Sequence, residues 1–566
     1  MSKTSKNQLE YEQAPRIGVF VCDCGSNIAG HLDCADVAEY AKTLPNVVYV
    51  KENLYTCSEA GIVEIKKAIE NENLNRVLVA SCSPRTHHPL FSSSCAEAGL
   101  NPYLFEMVNI RDQCSWVHMG KRDQATDKAK YLIKMGVAKA AGLEPIEEIT
   151  SSLTRQTLVV GGGIAGLSAA QALADMGLRV ILAEKTGTLG GLLNQIGTLD
   201  TGETAADFVR RVVEDVTARD NITCLTKTTL KSTGGYIGNY DVTLDTPDGE
   251  IIEKVGSMVI ATGAVPLIPQ GIFGYGTDAG VITLMELEQA LKNDSLSDKG
   301  FLGKSMVFIQ CAGARTAKKE YCSRICCMTA VKNAMAVKKK YPLADVRVLY
   351  RDMQMYGTHK EQMLWDARGL GVRFDVYSPD NPPRVENGKI SYFRSVTGED
   401  QVLDIDMVVL STPLTARKDT GTLANLLRVP TDQNGFFLEA HAKLRPLDFA
   451  ADGIFVAGSG RYPATATESR TQGIGTASRV AAILFKDKLV KSAIVAHIDP
   501  CSCVGCLSCL PMCPYEAITY DPEKRVCEIN EVLCKGCGNC AATCPSHSAQ
   551  LAGFKPEQLL AQIGAA

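Results

Sequence analysis

QTLVVGGGIAGLSAAQALADMG, residues Gln156–Gly177, decides the fold of the central part of this chain. A short apolar run rich in valine ends in Gly161-Gly162-Gly163-Ile164-Ala165-Gly166 and passes directly into an Ala- and Leu-rich helical segment. Each spaced glycine has a physical reason. Gly161 makes the tight turn, Gly163 lets backbone approach a pyrophosphate, and Gly166 lets the helix lie close to the strand. Glu184 ends the next apolar run, VILAE, where a carboxylate can accept a hydrogen bond from a ribose hydroxyl, and Lys185 follows it. A glycine turn alone could be structural; with strand, helix and acid in place it reads as a dinucleotide site.

Working outward, two further glycine turns favour FAD over NAD: TLGGLL with Gly190 and Gly191, and VIATGA with Ala261, Thr262 and Gly263. A third stretch, GIFVAGSG, carries Gly458 and Ser459 and precedes a helical segment, TQGIGTASRVAAILFKD. SMVFIQ, ending at Gln310, reads as a second buried strand, after which a nicotinamide site would need its own glycine turn. Cysteines stand there instead: Cys311, Cys322, Cys326 and Cys327. Four thiols so close suit a four-iron cluster. Buried structural cysteine is the alternative.

The C-terminal module gives the most specific signal. Cys503, Cys506, Cys509 and Cys513 precede Pro514 in C-x2-C-x2-C-x3-C-P, and Cys534, Cys537, Cys540 and Cys544 repeat it before Pro545. In such pairs three thiolates of one run and the fourth of the other hold each cubane. Cluster one therefore takes Cys503, Cys506, Cys509 and Cys544, and cluster two takes Cys534, Cys537, Cys540 and Cys513. A zinc knuckle does not need this duplicated, exchanged arrangement. Cys501 and Cys527 lie outside the pattern and read as packing residues.

In the N-terminal part, apolar runs (RIGVFVC, NVVYV, RVLVASC, PYLFEMV) alternate with helical segments, which predicts a parallel α/β sheet. Cys22, Cys24, Cys57, Cys82 and Cys114 follow such runs, and carboxyl ends of parallel strands converge on one edge. Four of these five are candidates for another cluster; packing thiols or a redox-active pair are the alternatives. Cys34 and Cys95 read as helical packing residues, and His87 and His88 as loop caps.

These readings give an α/β chain of several parts. Residues 1–15 are a polar tail, 16–150 a cysteine-containing α/β domain, and 155–490 an FAD-binding Rossmann unit with the central cysteines. Residues 495–550 form an α+β two-cluster ferredoxin domain, and 551–566 a terminal helix. The bulk numbers agree. The 566 residues exceed a single core, and 45% hydrophobic with 22% charged residues is ordinary globular composition. A net charge of −4 argues against nucleic acid as a main partner. There is no run of the ~18–20 apolar residues that membrane insertion requires, and the first residues lack an apolar signal core. With 22 cysteines and no export signal, the expectation is a cytoplasmic metal- and redox-active protein.

VFVCDCGSNIAG, ENLYTCS, RVLVASCSPRTHHPLF, NPYLFEMVNIRDQCSWVH and FIQCAGAR…YCSRICCMTAVK, with the C-terminal double run, resemble the A subunit of heterodisulfide reductases across nearly the whole chain. The central unit resembles thioredoxin reductases, in which the GIFVAGSG turn approaches the flavin; their usual aspartate there is replaced by Ser459-Gly460. The resemblance implies an electron-bifurcating iron–sulfur flavoprotein, a short form without the ferredoxin insert of methanogen members. By the same resemblance Lys332, in the family's CCxxAxK pattern, would tune the flavin; a solvated helix lysine is the alternative. Implied partners are heterodisulfide reductase B and C type subunits, a small iron–sulfur adaptor with hydrogenase or formate dehydrogenase, and ferredoxin. A related reading is a non-bifurcating conduit in a quinone-linked complex. Whether such a complex is dimeric stays open.

Overall fold

The computed structural model describes residues 14–491 and 493–566. The polar tail read over residues 1–15 therefore lies, up to residue 13, outside the described residues. Two compact units form: residues up to Thr150 together with Val490–Ala566, and Ser151–Leu489. No helix among the described residues is long and apolar enough to cross a membrane.

The first unit is built on a four-stranded parallel sheet in the order Val47–Asn53, Ile17–Cys22, Arg76–Ser81, Phe105–Asn109. Ile17–Cys22 and Arg76–Ser81 are buried at every position, as parallel strands covered on both faces must be. The covering helices are Cys34–Lys42, Glu59–Asn71, Pro84–Glu97 and Arg122–Ala141. Cys34 and Cys95 lie in two of them, buried. His87 and His88, expected to cap a loop, lie inside Pro84–Glu97. Pro84 takes the first helical position, where its missing N–H costs nothing, and the helix runs on through both histidines. His88 packs edge-on against Phe105, with ring centroids 5.2 Å apart.

The C-terminal part of this unit has two short antiparallel pairs, Ala496–Ile498 with Ala549–Leu551 and Ile518–Asp521 with Val526–Ile529. Its core combines Ala496, Ile498, Ile518 and Ala549 with the cysteines themselves. The terminal helix Pro556–Gly564 packs on Arg122–Ala141: Gln558 Nε2 donates to Gly142 O at 2.7 Å, and Lys555 pairs with Glu144 at 2.5 Å.

The second unit contains the same architecture twice. One parallel sheet runs Ile454–Val456, Ser257–Ile260, Gln156–Val160, Arg179–Ala183, Ile222–Leu225; the other runs Val281–Thr283, Met407–Leu410, Ser305–Ile309, Asp345–Tyr350, Arg373–Val376. Each half also has a three-stranded antiparallel sheet, Thr229–Val255 in the first and Arg384–Asp404 in the second. Ser305–Ile309 thus occupies the place of Gln156–Val160, and the turns after these two strands are equivalent positions.

Candidate functional site: a glycine-walled cavity and grouped thiols

After Gln156–Val160 the chain turns at Gly161 and enters the helix Ile164–Asp175, whose N-cap, Gly163, offers no side chain to the first N–H groups. Those donors remain for a ligand anion. A cavity of about 950 Å³ opens in front of them. Its wall includes Gly161, Gly163, Glu184, Lys185, Gly190, Gly191, Ala261, Thr262, Gly263 and Ser459. A Cβ on Gly163 would meet no protein atom within 4 Å, so that face is left to the ligand, whereas a Cβ on Gly166 would lie 1.9 Å from Gly161 O. Gly166 therefore serves helix–strand approach. Gly458 stands behind the wall, its N–H donating to Gln472 Oε1 at 2.8 Å. The buried Thr262 hydroxyl has no protein partner. Open backbone, free donors and an unpartnered hydroxyl fit a dinucleotide such as FAD.

Two wall residues are already engaged. Glu184 accepts from Gly162 N at 2.6 Å and from Thr186 N at 2.7 Å, and Lys185 pairs with Asp419 at 2.8 Å. Lys332 also lines the cavity, on the helix Cys326–Lys340, but its ammonium is held by Glu288 at 2.5 Å and by Thr198 O at 2.7 Å.

After the equivalent strand Ser305–Ile309 the turn carries Cys311 with φ 58°, and the returning helix begins with Cys326 and Cys327. Cys311, Cys322, Cys326 and Cys327 lie near enough to one another for the charge of one thiolate to be felt by the others. Burial pushes the thiols of Cys326 and Cys327 up, Cys327 to about 11. Groups that resist ionising in a dry site are stabilised as thiolates by a metal. Cys326 also lines the large cavity.

Two arginines that the sequence does not single out support these thiols. Arg315, fixed by Asp352 at 2.7 Å, lies beside Cys311. Arg324 has φ 62° and its N–H donates to Cys322 Sγ at 3.3 Å. Its guanidinium lies 5.1 Å from the rings of both Tyr356 and Tyr462 and donates to both oxygens of Glu468 at 3.1 Å. Both arginines stand within the central cysteine motif, but nothing local signals their partners.

In the first unit, Cys513 of one run joins Cys534, Cys537 and Cys540 of the other around one small cavity. Cys506 and Cys544 are likewise close, and Cys503 is near Cys509. At Cys544, burial is outweighed by hydrogen bonding with Ser548, Ala549 N–H and Ser546, which brings the thiol down to about 6. Cys527 is buried beside Cys509, as a packing residue would be, whereas Cys501, expected to pack as well, is exposed.

At the N-terminal sheet edge, Cys22, Cys24 and Cys82 come together with Arg111. Cys57 follows Thr56, whose N–H donates to Cys22 Sγ at 3.4 Å. Around them Asp23 Oδ1 and Asn53 Nδ2 are buried without protein partners, and the buried hydroxyls of Thr56 and Ser81 face the thiols of Cys22 and Cys82. Cys114 points elsewhere: it sits in a π-helical turn, Arg111–Ser115, and donates to Ala125 O at 3.1 Å.

A dinucleotide cavity with the Cys326 thiol on its wall, in a chain that also carries paired cubane motifs, defines an iron–sulfur flavoprotein oxidoreductase. Residues 155–473 match the pyridine nucleotide-disulphide oxidoreductase family and 502–548 the 4Fe-4S dicluster domain. The A subunit of the H(2):CoB-CoM heterodisulfide,ferredoxin reductase of Methanothermobacter marburgensis is 34% identical over 99% of both chains. An iron-sulfur A subunit of the CoB–CoM heterodisulfide reductase of Methanopyrus kandleri is 35% identical over 90% of this chain and 91% of its own. The chain belongs to the family of heterodisulfide reductase A subunits. The alignment with the Methanothermobacter relative spans 657 positions against 566 residues here, so that relative has segments without counterpart in this chain. Among solved structures, Lactococcus lactis thioredoxin reductase is 17% identical with a TM-score of 0.41, over 58% of this chain and 99% of that one.

Proposed function

We propose that this chain is the electron-dividing subunit of a cytoplasmic heterodisulfide-reductase-type complex. With FAD held in the cavity, a donor's electron pair would be divided between a low-potential acceptor, ferredoxin, and a high-potential acceptor such as a heterodisulfide. When bound, FAD exchanges electrons in pairs and 4Fe–4S clusters exchange them singly, over potentials spanning roughly −700 to +450 mV. The observation that carries the reading is that Cys326 and the Gly161–Gly163 turn line the same cavity.

In this reading Gly163 and the helix N-terminus behind it receive the pyrophosphate, and the Lys332–Glu288 pair sets the field on the cavity wall. Cys311, Cys322, Cys326 and Cys327 hold a central cluster, and Cys22, Cys24, Cys57 and Cys82 a fourth. The exchange of Cys513 and Cys544 between runs completes clusters one and two. No site for a heterodisulfide or for hydrogen is recognisable in the sequence, so the partners are B and C type subunits and an adaptor with hydrogenase or formate dehydrogenase. The relatives' names point the same way: the Methanothermobacter protein is named for H2, heterodisulfide and ferredoxin, and a Methanococcus maripaludis relative for H2 or formate.

The test is to supply the purified complex with its donor and ferredoxin, with and without the high-potential acceptor. Ferredoxin reduction that requires the second acceptor is expected. Equal reduction without it would make the chain a simple conduit.

A further inference from the structure

Gln310 and Ser411 are fully buried, and neither side chain has a protein hydrogen-bond partner: both amide atoms of Gln310 and the Ser411 hydroxyl are unpaired. Such groups are rare in native interiors because leaving a buried donor unpaired is costly. Their place in the fold says what could pair them. Each follows the last residue of a central strand, Ser305–Ile309 or Met407–Leu410. Ladder pairing continues through both, with Gln310 N donating to Leu349 O and Ser411 N to Ile309 O, each at 2.9 Å.

Side chains alternate along a strand. Met306, Phe308, Met407 and Val409 pack in one core with Cys326, Ala330 and Ala334 of the helix Cys326–Lys340. Val307, Ile309, Val408 and Leu410 pack in the core of the opposite face. Gln310 and Ser411 therefore continue the face covered by that helix. The helix connects two parallel strands, so it runs back against them, and its first residues lie over their carboxyl ends. Cys326 and Cys327 are those residues.

We propose that the Gln310 amide N–H and the Ser411 O–H donate hydrogen bonds to sulfur of the cluster held by Cys311, Cys322, Cys326 and Cys327. They are positioning residues for its potential. The inference rests on the central cluster of the proposed function. A donor to sulfur favours the more negative, reduced cluster, and hydrogen bonds to sulfur are among the factors that set cluster potentials.

The test is an EPR-monitored redox titration of the full chain and of Gln310→Met and Ser411→Ala. The central signal is identified by its loss in Cys326→Ser, with the ferredoxin-type signals as internal controls. Both variants are expected to keep their iron, and the central signal should be half-reduced at lower potential while the controls stay fixed. If Gln310→Met loses the central iron, Ser411→Ala, the removal of one oxygen, decides. An unchanged potential with iron retained overturns the inference and leaves the central cluster standing. A native protein with no signal dependent on Cys326 overturns both.

Discussion

Lys332 Nζ lies 2.5 Å from Glu288 Oε1 on the wall of the large cavity, with the carboxylate almost wholly buried. Glu288 also accepts from Gly197 N at 3.2 Å. The ammonium thus reaches the cavity already partnered, and the charge on that wall is the balance of two residues.

Opposite substitutions should move the flavin potential in opposite directions. Lys332→Ala removes positive charge and should lower it, whereas Glu288→Gln leaves the ammonium uncompensated and should raise it. Lys332→Ala should also destabilise the protein, because breaking a buried pair from one side costs about 3–5 kcal/mol. Spectroelectrochemistry of the bound FAD reads the potentials. Shifts of the same sign in both variants would remove this wall from the control of the flavin.

Gly163→Val should give protein without FAD that keeps its clusters. The new side chain would extend from a backbone position with no protein atom within 4 Å of the added Cβ, into the space where the pyrophosphate meets the helix N-terminus. Absorbance and extracted flavin measure occupancy. Stoichiometric FAD in this variant would put the site elsewhere.

The Gly161–Gly166 turn and the paired C-terminal runs were legible because their chemistry is written in local spacing. Glu288 was not: an acid on an amphipathic helix carries no mark of a lysine that reaches it from another helix. Arg324 fails for the same reason, since its two tyrosines and Glu468 come from later in the chain. Cys114 shows the limit of the strand-end rule. It follows its strand as the other thiols do, but a π-helical turn rotates it onto the Arg122–Ala141 helix.

Iron content should reflect that rotation. The native chain should hold about 16 iron atoms, four in each of four clusters. Replacing Cys22, Cys24, Cys57 or Cys82 with Ser should remove about four, whereas Cys114→Ser should remove none. Colorimetric iron per FAD checks this. An iron loss confined to Cys114→Ser would reassign the N-terminal ligand set.

Stripping iron should unfold the C-terminal module before the flavin domain. Half of the residues in or against its core are cysteine, among them Cys503, Cys509, Cys513, Cys534, Cys540 and Cys544. A module this small has little apolar area to replace its clusters, so cluster binding is folding energy there. Limited proteolysis after anaerobic chelation should cut first within residues 496–551, with FAD still bound. Protection of that segment without iron would show a self-sufficient core.

NADH and NADPH should not reduce the flavin of the isolated chain. In the first half of the Ser151–Leu489 unit a glycine turn after Gln156–Val160 exposes a helix N-terminus to the cavity. At the equivalent place after Ser305–Ile309 the turn is made by Cys311, and the returning helix opens with Cys326 and Cys327. A pyrophosphate there would meet thiolates instead of free N–H groups, and their negative charge would oppose its own. Cys326 also lines the cavity that the Gly161 turn faces, so a nicotinamide entering from that side would meet a thiol. Anaerobic mixing with NADH should leave the flavin absorbance unchanged over minutes, while dithionite bleaches it. Cys326→Ser with Cys327→Ser should retain FAD and still not respond to NADH, because the glycine turn is absent as well as the thiols being present. Rapid, stoichiometric bleaching of the native chain by NADH alone would overturn this assignment.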